Sequence, residues 1–456
     1  MANKQQVSEF FKTDVPAFGS YDNCRKIASY IDGLKISMRK ILFTMMKKYP
    51  GKDKTKTENV ANIVAATTNY LHGAQNLCGV CDTMAQNFVG SNNYNLLDGN
   101  SGGFGTRIGG GVCAAPRYTK IALSEIVRKL FIETDSKIID QQFFEGDYIE
   151  PLFFVPIFPV IFLNGSSGLS TGFSQDILPR NPSEIIEYIK KKLNGVEKPR
   201  MQLLPWFKGH LGKVAWNEEL QRNESYGVIT YNNMTSYTIS ELPIGTEYQK
   251  YVEFLDKLCE NGTIQDYDDK CDPKTDKILF NIKTTREFTR KIDSNERKLY
   301  ETLHLVKSLP EVLCCIDESN RVKEYNSIYE ILDDFITLRL KYYQKRKDWL
   351  VDDLKQKLTK LASKYYFVKG VVDGTIIVSK RKKDDIVKQL EKIDKICKID
   401  GSYDYLLAMQ ISSLTAEKME ELKKLIEEGK EEYKTVKSTT IQDMWLGDLR
   451  ELKKIL

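Results

Sequence analysis

Between Gly90 and Gly111 the chain abandons any apolar period, running through Gly90-Ser91-Asn92-Asn93, Asp98-Gly99-Asn100-Ser101-Gly102-Gly103 and Gly109-Gly110-Gly111. Glycine and asparagine favour turns over helix or strand, so this stretch must be loop. Loops of this length inside a folded domain are uncommon unless function retains them. The segment 99–111 reads as following no strand and opening no βαβ unit, and the chain has no Gly-x-x-x-x-Gly-Lys-Ser/Thr, so no ATP site is expected here. What the loop leads into at once is Ala114-Ala115-Pro116-Arg117-Tyr118-Thr119.

The flanking sequence predicts short packed elements. From Arg25 to Phe88 apolar residues recur at helical spacing. Ile27, Tyr30 and Ile31 lead into a tight turn at Asp32-Gly33, and Ser37 is placed to cap a second helix bearing Ile41, Leu42 and Met45. A third run carries Val60, Ile63 and Val64 and stops near His72-Gly73; a fourth carries Leu77, Cys81, Met84 and Phe88. Such helices fit a helix-turn-helix class of module. After Tyr118 the pattern predicts a helix over 119–132, then a proline-bounded, strand-like run from Phe153 to Leu163 that ends in Asn164-Gly165-Ser166-Ser167-Gly168-Leu169-Ser170-Thr171-Gly172.

Residues 175–320 mix short helices with alternating strands such as 226–231, 237–242 and 277–282, a separate α+β region. From Ile328, the positions Ile331, Leu332, Phe335, Tyr342, Trp349 and Leu354 predict a long, charge-laced helix. A second long helix, with Thr415 as N-cap, Glu417 in its first turn and Met419, Leu422, Leu425 and Ile426 as its apolar stripe, returns from a lysine-rich knob.

Composition excludes more than it assigns. Lys and Arg number 68 against 63 Asp and Glu, a net +5 that does not by itself establish nucleic-acid binding. The longest apolar stretch, Pro151–Leu163, contains Pro156 and Pro159 and falls well short of the ~18–20 residues a bilayer span needs. Met1–Gln6 leads into no apolar signal core, so cytosolic or nuclear synthesis is expected. Nine cysteines read as free thiols, and Cys78-x-x-Cys81, lacking a second pair, as core. Three histidines, His72, His210 and His304, make a histidine metal cluster an unsuitable reading. Gly168-x-Ser170-x-Gly172 matches a nucleophile elbow by pattern, but no α/β-hydrolase alternation surrounds it.

Tyr118 is the informative residue. A tyrosine hydroxyl can attack phosphorus and store the bond energy reversibly, and Arg117 beside it presents a planar fork suited to phosphate oxygens. Alone, an Arg-Tyr pair is equally a surface feature.

The surrounding motifs supply context. Arg25-Lys26-Ile27-Ala28-Ser29-Tyr30-Ile31-Asp32-Gly33-Leu34-Lys35, Tyr70-Leu71-His72-Gly73, Gln86-Asn87-Phe88-Val89-Gly90-Ser91-Asn92-Asn93, Ala115-Pro116-Arg117-Tyr118 and Asn164–Gly172 occur in the order in which the type IIA DNA topoisomerases carry similar elements in their breakage-reunion part. The resemblance continues through Pro205-Trp206-Phe207-Lys208-Gly209, Lys341–Lys347 and Tyr405–Thr415. Ala28 stands where the family has proline, and Leu169 and Ser170 where it has Ile and Gly. The layout resembles the split topoisomerase of the T-even bacteriophages, whose cleavage part is a separate subunit.

What the resemblance implies is specific. The fold would be α+β and multidomain: an N-terminal extension (1–20), a winged-helix cleavage domain (21–155), an α/β tower (156–325) and a long antiparallel coiled-coil arm with a C-terminal gate (326–456). Tyr118 would be the nucleophile, linked transiently to a 5′ phosphate, with Arg117 and Arg25 on the charged oxygens and His72 giving a hydrogen bond or proton. Leu169 would intercalate, and Lys35, Arg39 and Lys40 would hold the DNA backbone. Mg²⁺ would be bound mainly by the Toprim domain of a partner subunit, which would also use the ATP; Asp268-Asp269 lies in the wrong context for that acidic cluster, and no metal ligand is assigned in this chain. The expected partners are double-stranded DNA, a second copy of this chain and the ATPase/Toprim subunit, with no membrane and a cytoplasmic location, that of the host bacterium if phage-encoded. Two rivals stay open: a non-catalytic DNA-bending scaffold, and a one-way double-strand-break protein of the meiotic kind.

Overall fold

The structure, a computed structural model, describes residues 7–50, 57–67, 69–292, 295–379, 381–410 and 414–456. Met1–Gln6, within the expected 1–20 extension, and Ile411-Ser412-Ser413, within the 405–415 segment, lie outside the described residues. The chain forms two compact units, residues 1–339 with 446–456, and residues 340–445. The first therefore takes in the segments expected as extension, winged helix and tower.

Helix α1 (Val7–Lys26) ends before the residues expected to form a helix at 27–31. These form a buried turn instead, because Ile27, Ala28, Ile31 and Leu34 are all inward-facing, an arrangement that leaves no solvent face for an amphipathic helix. Helix α2 (Ile36–Lys48) starts after an extended Lys35 with no side-chain cap, so Ser37 lies in its first turn rather than at its cap. Its entry is set by Asp32, whose carboxylate accepts from Leu34 N at 3.1 Å and from Arg39 Nε at 2.7 Å.

Strand β1 (Glu58–Asn59), helices α3 (Val60–Ala66) and α4 (Ala74–Ala85), and strands β2 (Leu97–Gly99) and β3 (Lys120–Leu123) follow. The strands form an antiparallel sheet in the order β1-β3-β2, with Glu58 opposite Ile121 and Leu97 opposite Leu123. Helices α2, α3 and α4 pack on one another, and α4 on β2. Cys78 and Cys81 are buried there as free thiols. The glycine loop thus does follow a strand, but an antiparallel one, with no βαβ unit. The helix expected over 119–132 is β3 followed by α5 (Glu125–Leu130). Pairing on both edges decides this: Ile121 sits between two strands, and Lys120 exchanges hydrogen bonds with Asn100 at 2.6 and 3.0 Å.

A hairpin of β4 (Gln142–Phe144) and β5 (Asp147–Ile149) precedes the apolar run. The strand expected over 153–163 is absent: the segment is irregular and ends in α6 (Ile161–Asn164). Pro156 and Pro159 donate no N–H to a ladder, and full burial satisfies an all-apolar run in any conformation. A second hairpin, β6 (Ser166–Leu169) with β7 (Ser174–Ile177), comes next, then α7 (Pro182–Leu193), capped by the Asn181 side chain accepting from Ser183 N at 2.9 Å.

The α/β body comprises β8 (Val214–Asn217), β9 (Arg222–Tyr226), β10 (Val228–Asn233), β11 (Ser236–Glu241), α8 (Tyr248–Glu260), β12 (Asp266–Asp269), β13 (Phe280–Lys283), α9 (Arg286–Ile292), α10 (Glu296–Thr302) and β14 (Val306–Leu309). Its sheets run β10-β11-β13-β12, over a core that includes Ile239, Leu255, Phe280 and Ile282, and β14-β9-β8. The hairpin β15 (Cys314–Ile316) and β16 (Val322–Glu324) then packs beside Cys24 and Ile27 of the N-terminal region.

Helix α11 (Ile328–Val372) leads into the second unit, which holds α12 (Lys383–Leu390), α13 (Asp404–Leu407) and α14 (Ala416–Ser438), the last capped by Thr415 as expected; α15 (Ile441–Lys453) follows. Within that unit Leu358 lies against Gly429, and Lys347 Nζ reaches Thr439 O at 2.8 Å, so α14 runs antiparallel to α11. Phe367, Ile376, Leu390 and Leu406 form the small core of the knob.

Replacing Asp32 by Ala leaves the Arg39 guanidinium buried without its counter-charge, and a loss of about 3–5 kcal/mol is expected in denaturant unfolding of the full chain. A variant as stable as the parent would show that the pair does not organise this region.

Candidate active site and nucleic-acid surface

Loop 100–119 is long but anchored. Gln86 Nε2 donates to Gly111 O at 2.9 Å and Ala114 N to Gly103 O at 2.9 Å. Arg107 pairs with Glu241 at 2.6 Å and reaches Leu242 O at 3.1 Å, while Asp276 accepts from Arg107 N and Ile108 N. At its far end Thr119 is wholly buried and accepts from Val60 N at 3.1 Å. Pro116 opens a turn closed by Tyr118 N to Ala115 O at 2.8 Å. Tyr118, one residue outside the anchor, is therefore thrust into solvent, 65% exposed. The Arg117 guanidinium lies over its ring, 4.9 Å from the centroid. Among the described residues neither side chain has a hydrogen-bond partner, so both the phenol oxygen and the guanidinium fork are available to a ligand.

A second group surrounds His72. Tyr21 on α1 meets His72 Nε2 at 2.5 Å with its ring stacked on the imidazole, and Tyr70 stands edge-on to the same ring. Burial pushes the Tyr70 phenol up, and the Arg25 guanidinium beside it pulls the other way, which puts Arg25 in the same cluster.

The end of α1 also carries the β6-β7 hairpin. Asp22 accepts from Thr171 N at 3.0 Å and Thr171 Oγ1 at 2.9 Å. A side chain at Gly168 would meet Lys26 O at 2.1 Å, so only glycine allows the hairpin to lie this close. Lys35 Nζ donates to Ser167 O at 2.6 Å, and burial pushes its ammonium down. Leu169, at the end of β6, is 77% exposed. Arg25, His72, Lys35 and Leu169 thus gather around one helix end. Tyr118 and Arg117 stand on their own loop, and among the described residues no hydrogen bond joins them to that cluster.

Arg39 and Lys40, expected on the DNA backbone, require correction. Arg39 forms a buried pair with Asp32 at 2.7 Å, and Lys40 a buried pair with Glu150 at 2.7 Å. Both charges are neutralised inside the protein, out of reach of phosphate. Sequence reasoning also missed Tyr21 and Tyr70. The signal for Tyr21 was its spacing four residues before Arg25, on one helix face.

Among the described residues no group of three His, Cys, Asp or Glu could hold a metal ion. Asp268 is paired with Lys270 at 3.0 Å and Asp266 with Lys283 at 3.9 Å, which ties these carboxylates into surface pairs along β12. No described helix is long and apolar enough to cross a membrane.

Comparison with known proteins agrees with the motif order. A family model described as the A subunit of DNA gyrase/topoisomerase IV matches residues 25–450, and the chain belongs to that family. DNA topoisomerase 2 of Penicillium chrysogenum is 31% identical over 98% of this chain and 30% of its own length. DNA topoisomerase 2 of Invertebrate iridescent virus 6 is 32% identical over 99% of this chain and 39% of its own length. Human DNA topoisomerase 2-alpha is 34% identical over 97% of this chain and 31% of its own length. The chain thus spans about a third of the length of these relatives. A crystal structure of the Plasmodium falciparum topoisomerase II DNA-binding, cleavage and re-ligation domain superposes with a TM-score of 0.86 at 30% identity, covering 98% of this chain and 64% of that one.

Arg39→Met and Lys40→Met are expected to lower thermal stability while leaving the slope of log K against log salt for DNA binding unchanged. A slope shallower by about 0.9 per residue replaced would return them to the phosphate backbone.

Proposed function

We propose that this chain is the DNA cleavage and religation part of an ATP-dependent type II topoisomerase, acting in relaxation and decatenation. The observation that carries this reading is Tyr118: exposed, without a hydrogen-bond partner among the described residues, beneath the Arg117 guanidinium and held on an anchored loop, at the Arg-Tyr position of a family member's motif.

The chemistry is transesterification. The Tyr118 oxygen attacks a backbone phosphorus; the P–O3′ bond breaks as the P–O(Tyr118) bond forms, leaving the tyrosine on the 5′ phosphate and a free 3′ hydroxyl. The phenol gives up its proton and the leaving oxygen gains one, so no net proton is consumed. Arg117 and Arg25 neutralise the non-bridging oxygens, and His72 donates a hydrogen bond at the reacting phosphate. Religation is the same path reversed. A tyrosine ester conserves the bond energy, so resealing needs no cofactor of its own.

The remaining parts are assigned accordingly. Residues 21–155 are a winged helix, supported by the order α2-β1-α3-α4-β2-β3 and its three-stranded sheet. Residues 156–325 are a tower, and 326–456 an antiparallel coiled-coil arm ending in an exit gate. Leu169, exposed on a tight hairpin and lacking a local core, wedges between base pairs and bends the duplex. Lys35 adds a backbone contact, exchanging its bond to the Ser167 carbonyl for a phosphate. A second copy of the chain cuts the opposite strand, and a partner subunit supplies ATP hydrolysis and the Toprim carboxylates for Mg²⁺. This work is done in the compartment that holds the DNA, the host cytoplasm if the gene is carried by a bacteriophage.

The test combines the chain with its ATPase/Toprim partner, supercoiled plasmid, Mg²⁺ and ATP, and stops the reaction with detergent. Relaxed plasmid and protein-linked linear DNA are expected, and the linear form should disappear when EDTA or high salt precedes the detergent. Breaks that persist through both treatments would make the chain a one-way cutter, and bending without any cut would make it a scaffold.

A further inference from the structure

The sequence motifs account for His72 but not for what grips it. Tyr21 and Arg25 stand at i and i+4 on α1, on one helix face. The Tyr21 hydroxyl meets His72 Nε2 at 2.5 Å, and the two rings stack at 28° with centroids 5.9 Å apart. Tyr70 closes the other side, edge-on at 70° and 5.5 Å, and is itself fixed by a hydrogen bond to Asn76 Oδ1. His72 precedes Gly73, whose φ of +81° places it outside helix α4, so no helical hydrogen-bond pattern orients the imidazole.

We propose that Tyr21 is the positioning residue of the cleavage site, assigning the tautomer of His72 so that Nδ1 carries the proton offered to the scissile phosphate. A phenol O–H is a stronger acid than a neutral imidazole N–H, and an imidazole nitrogen is a better acceptor than a phenol oxygen, so Tyr21 donates and Nε2 accepts. The proton of the neutral ring is then on Nδ1, which has no hydrogen-bond partner among the described residues. A neutral histidine has one donor, and its partner decides which nitrogen that is. Without the Tyr21 hydroxyl the proton is free to move to Nε2, and the donor points away from the phosphate. Arg25, four residues on, is carried by the same helix, so α1 sets both the cation and the donor of the site.

This inference rests on the reading of His72 as a phosphate-facing group in a cleavage site, and the experiment separates the two. In the full-length chain labelled with ¹⁵N-histidine, long-range ¹H–¹⁵N spectra distinguish the tautomers, and His72→Gln identifies the His72 signals among the three histidines. The wild type is expected in the Nδ1–H form, and Tyr21→Phe, which keeps the stacked ring, in a mixed or Nε2–H form. In the plasmid cleavage assay with the partner subunit, Tyr21→Phe is expected to lower Tyr118-dependent cleavage roughly 10-fold, the order seen when the group orienting an imidazole is removed, with DNA affinity unchanged. Adding Tyr21→Phe to His72→Gln should cost nothing further. A wild-type Nε2–H tautomer, or a Tyr21→Phe chain that cleaves at the parent rate, would overturn the proposal while leaving the topoisomerase reading standing. Absence of any Tyr118-dependent cleavage would remove that reading, and the spectra would still decide whether Tyr21 sets the tautomer.

Discussion

The buried carboxylate of Asp32 organises the part of the molecule that carries Arg25, Lys35 and Leu169. It is fully enclosed and accepts four hydrogen bonds: from Leu34 N, Arg39 Nε, Arg39 Nη2 and Phe154 N. A buried charge is tolerable only when paired and hydrogen-bonded in this way. The consequences are geometric. The turn after α1 is closed, α2 is aimed by its own Arg39, and the 150s segment is drawn against both. Gly33, at φ +66°, presses on the backbone of Val160 and Ile161, where a Cβ would stand 2.4 Å from Ile161 N. That segment runs directly into the hairpin bearing Leu169, and Gln175 on the hairpin's second strand bonds both backbone groups of Ala28. The Asp32–Arg39 pair and Gly33 thus set the frame within which the contacts of Asp22, Gly168 and Gln175 place Arg25, Lys35 and Leu169.

The same burial sorts the cations. A net charge of +5 says little about a chain of 456 residues. Arg39, Lys40, Arg107, Arg180 and Arg339 are all consumed in buried pairs with Asp32, Glu150, Glu241, Glu311 and Asp135. These pairs fix architecture; Arg107–Glu241 in particular tethers the loop that presents Tyr118. Among the described residues, Arg25, Lys35 and Arg117 are left near the candidate site without a carboxylate partner. On the proposed function, phosphate recognition would rest on these three placed charges rather than on a broad basic surface, which suits a site that must stabilise one reacting phosphodiester.

How far this was legible in the sequence depended on the kind of signal. Local, chemistry-bearing signals read well: the glycine stretch 90–111 is loop apart from the short strand Leu97–Gly99, Thr415 caps its helix, and the two long helices lie antiparallel. The motif order identified the family without any structure. The errors share a cause. Residues 153–163 are apolar throughout and residues 27–31 are buried throughout, Ser29 included, and such runs carry no usable period, so burial rather than propensity chooses their backbone. Lys120–Leu123 became a strand because two partners distant in sequence flank it. Arg39 and Lys40 look like solvated helix charges until Asp32 and Glu150, one in a turn and one 110 residues away, are placed beside them. The Tyr21–His72 contact joins residues 51 apart and has no signature beyond helix spacing.

The central claim is that Tyr118 is the atom donor to a reversible protein–DNA bond. The most direct measurement traps that bond with detergent during the reaction with supercoiled plasmid, digests the protein and the DNA, and maps the joined peptide and the DNA end by mass spectrometry. The expected result is a single linked peptide containing Tyr118, joined to a 5′ phosphate, with a 3′ hydroxyl that a polymerase can extend. Linkage through another residue, or to a 3′ phosphate, would contradict it.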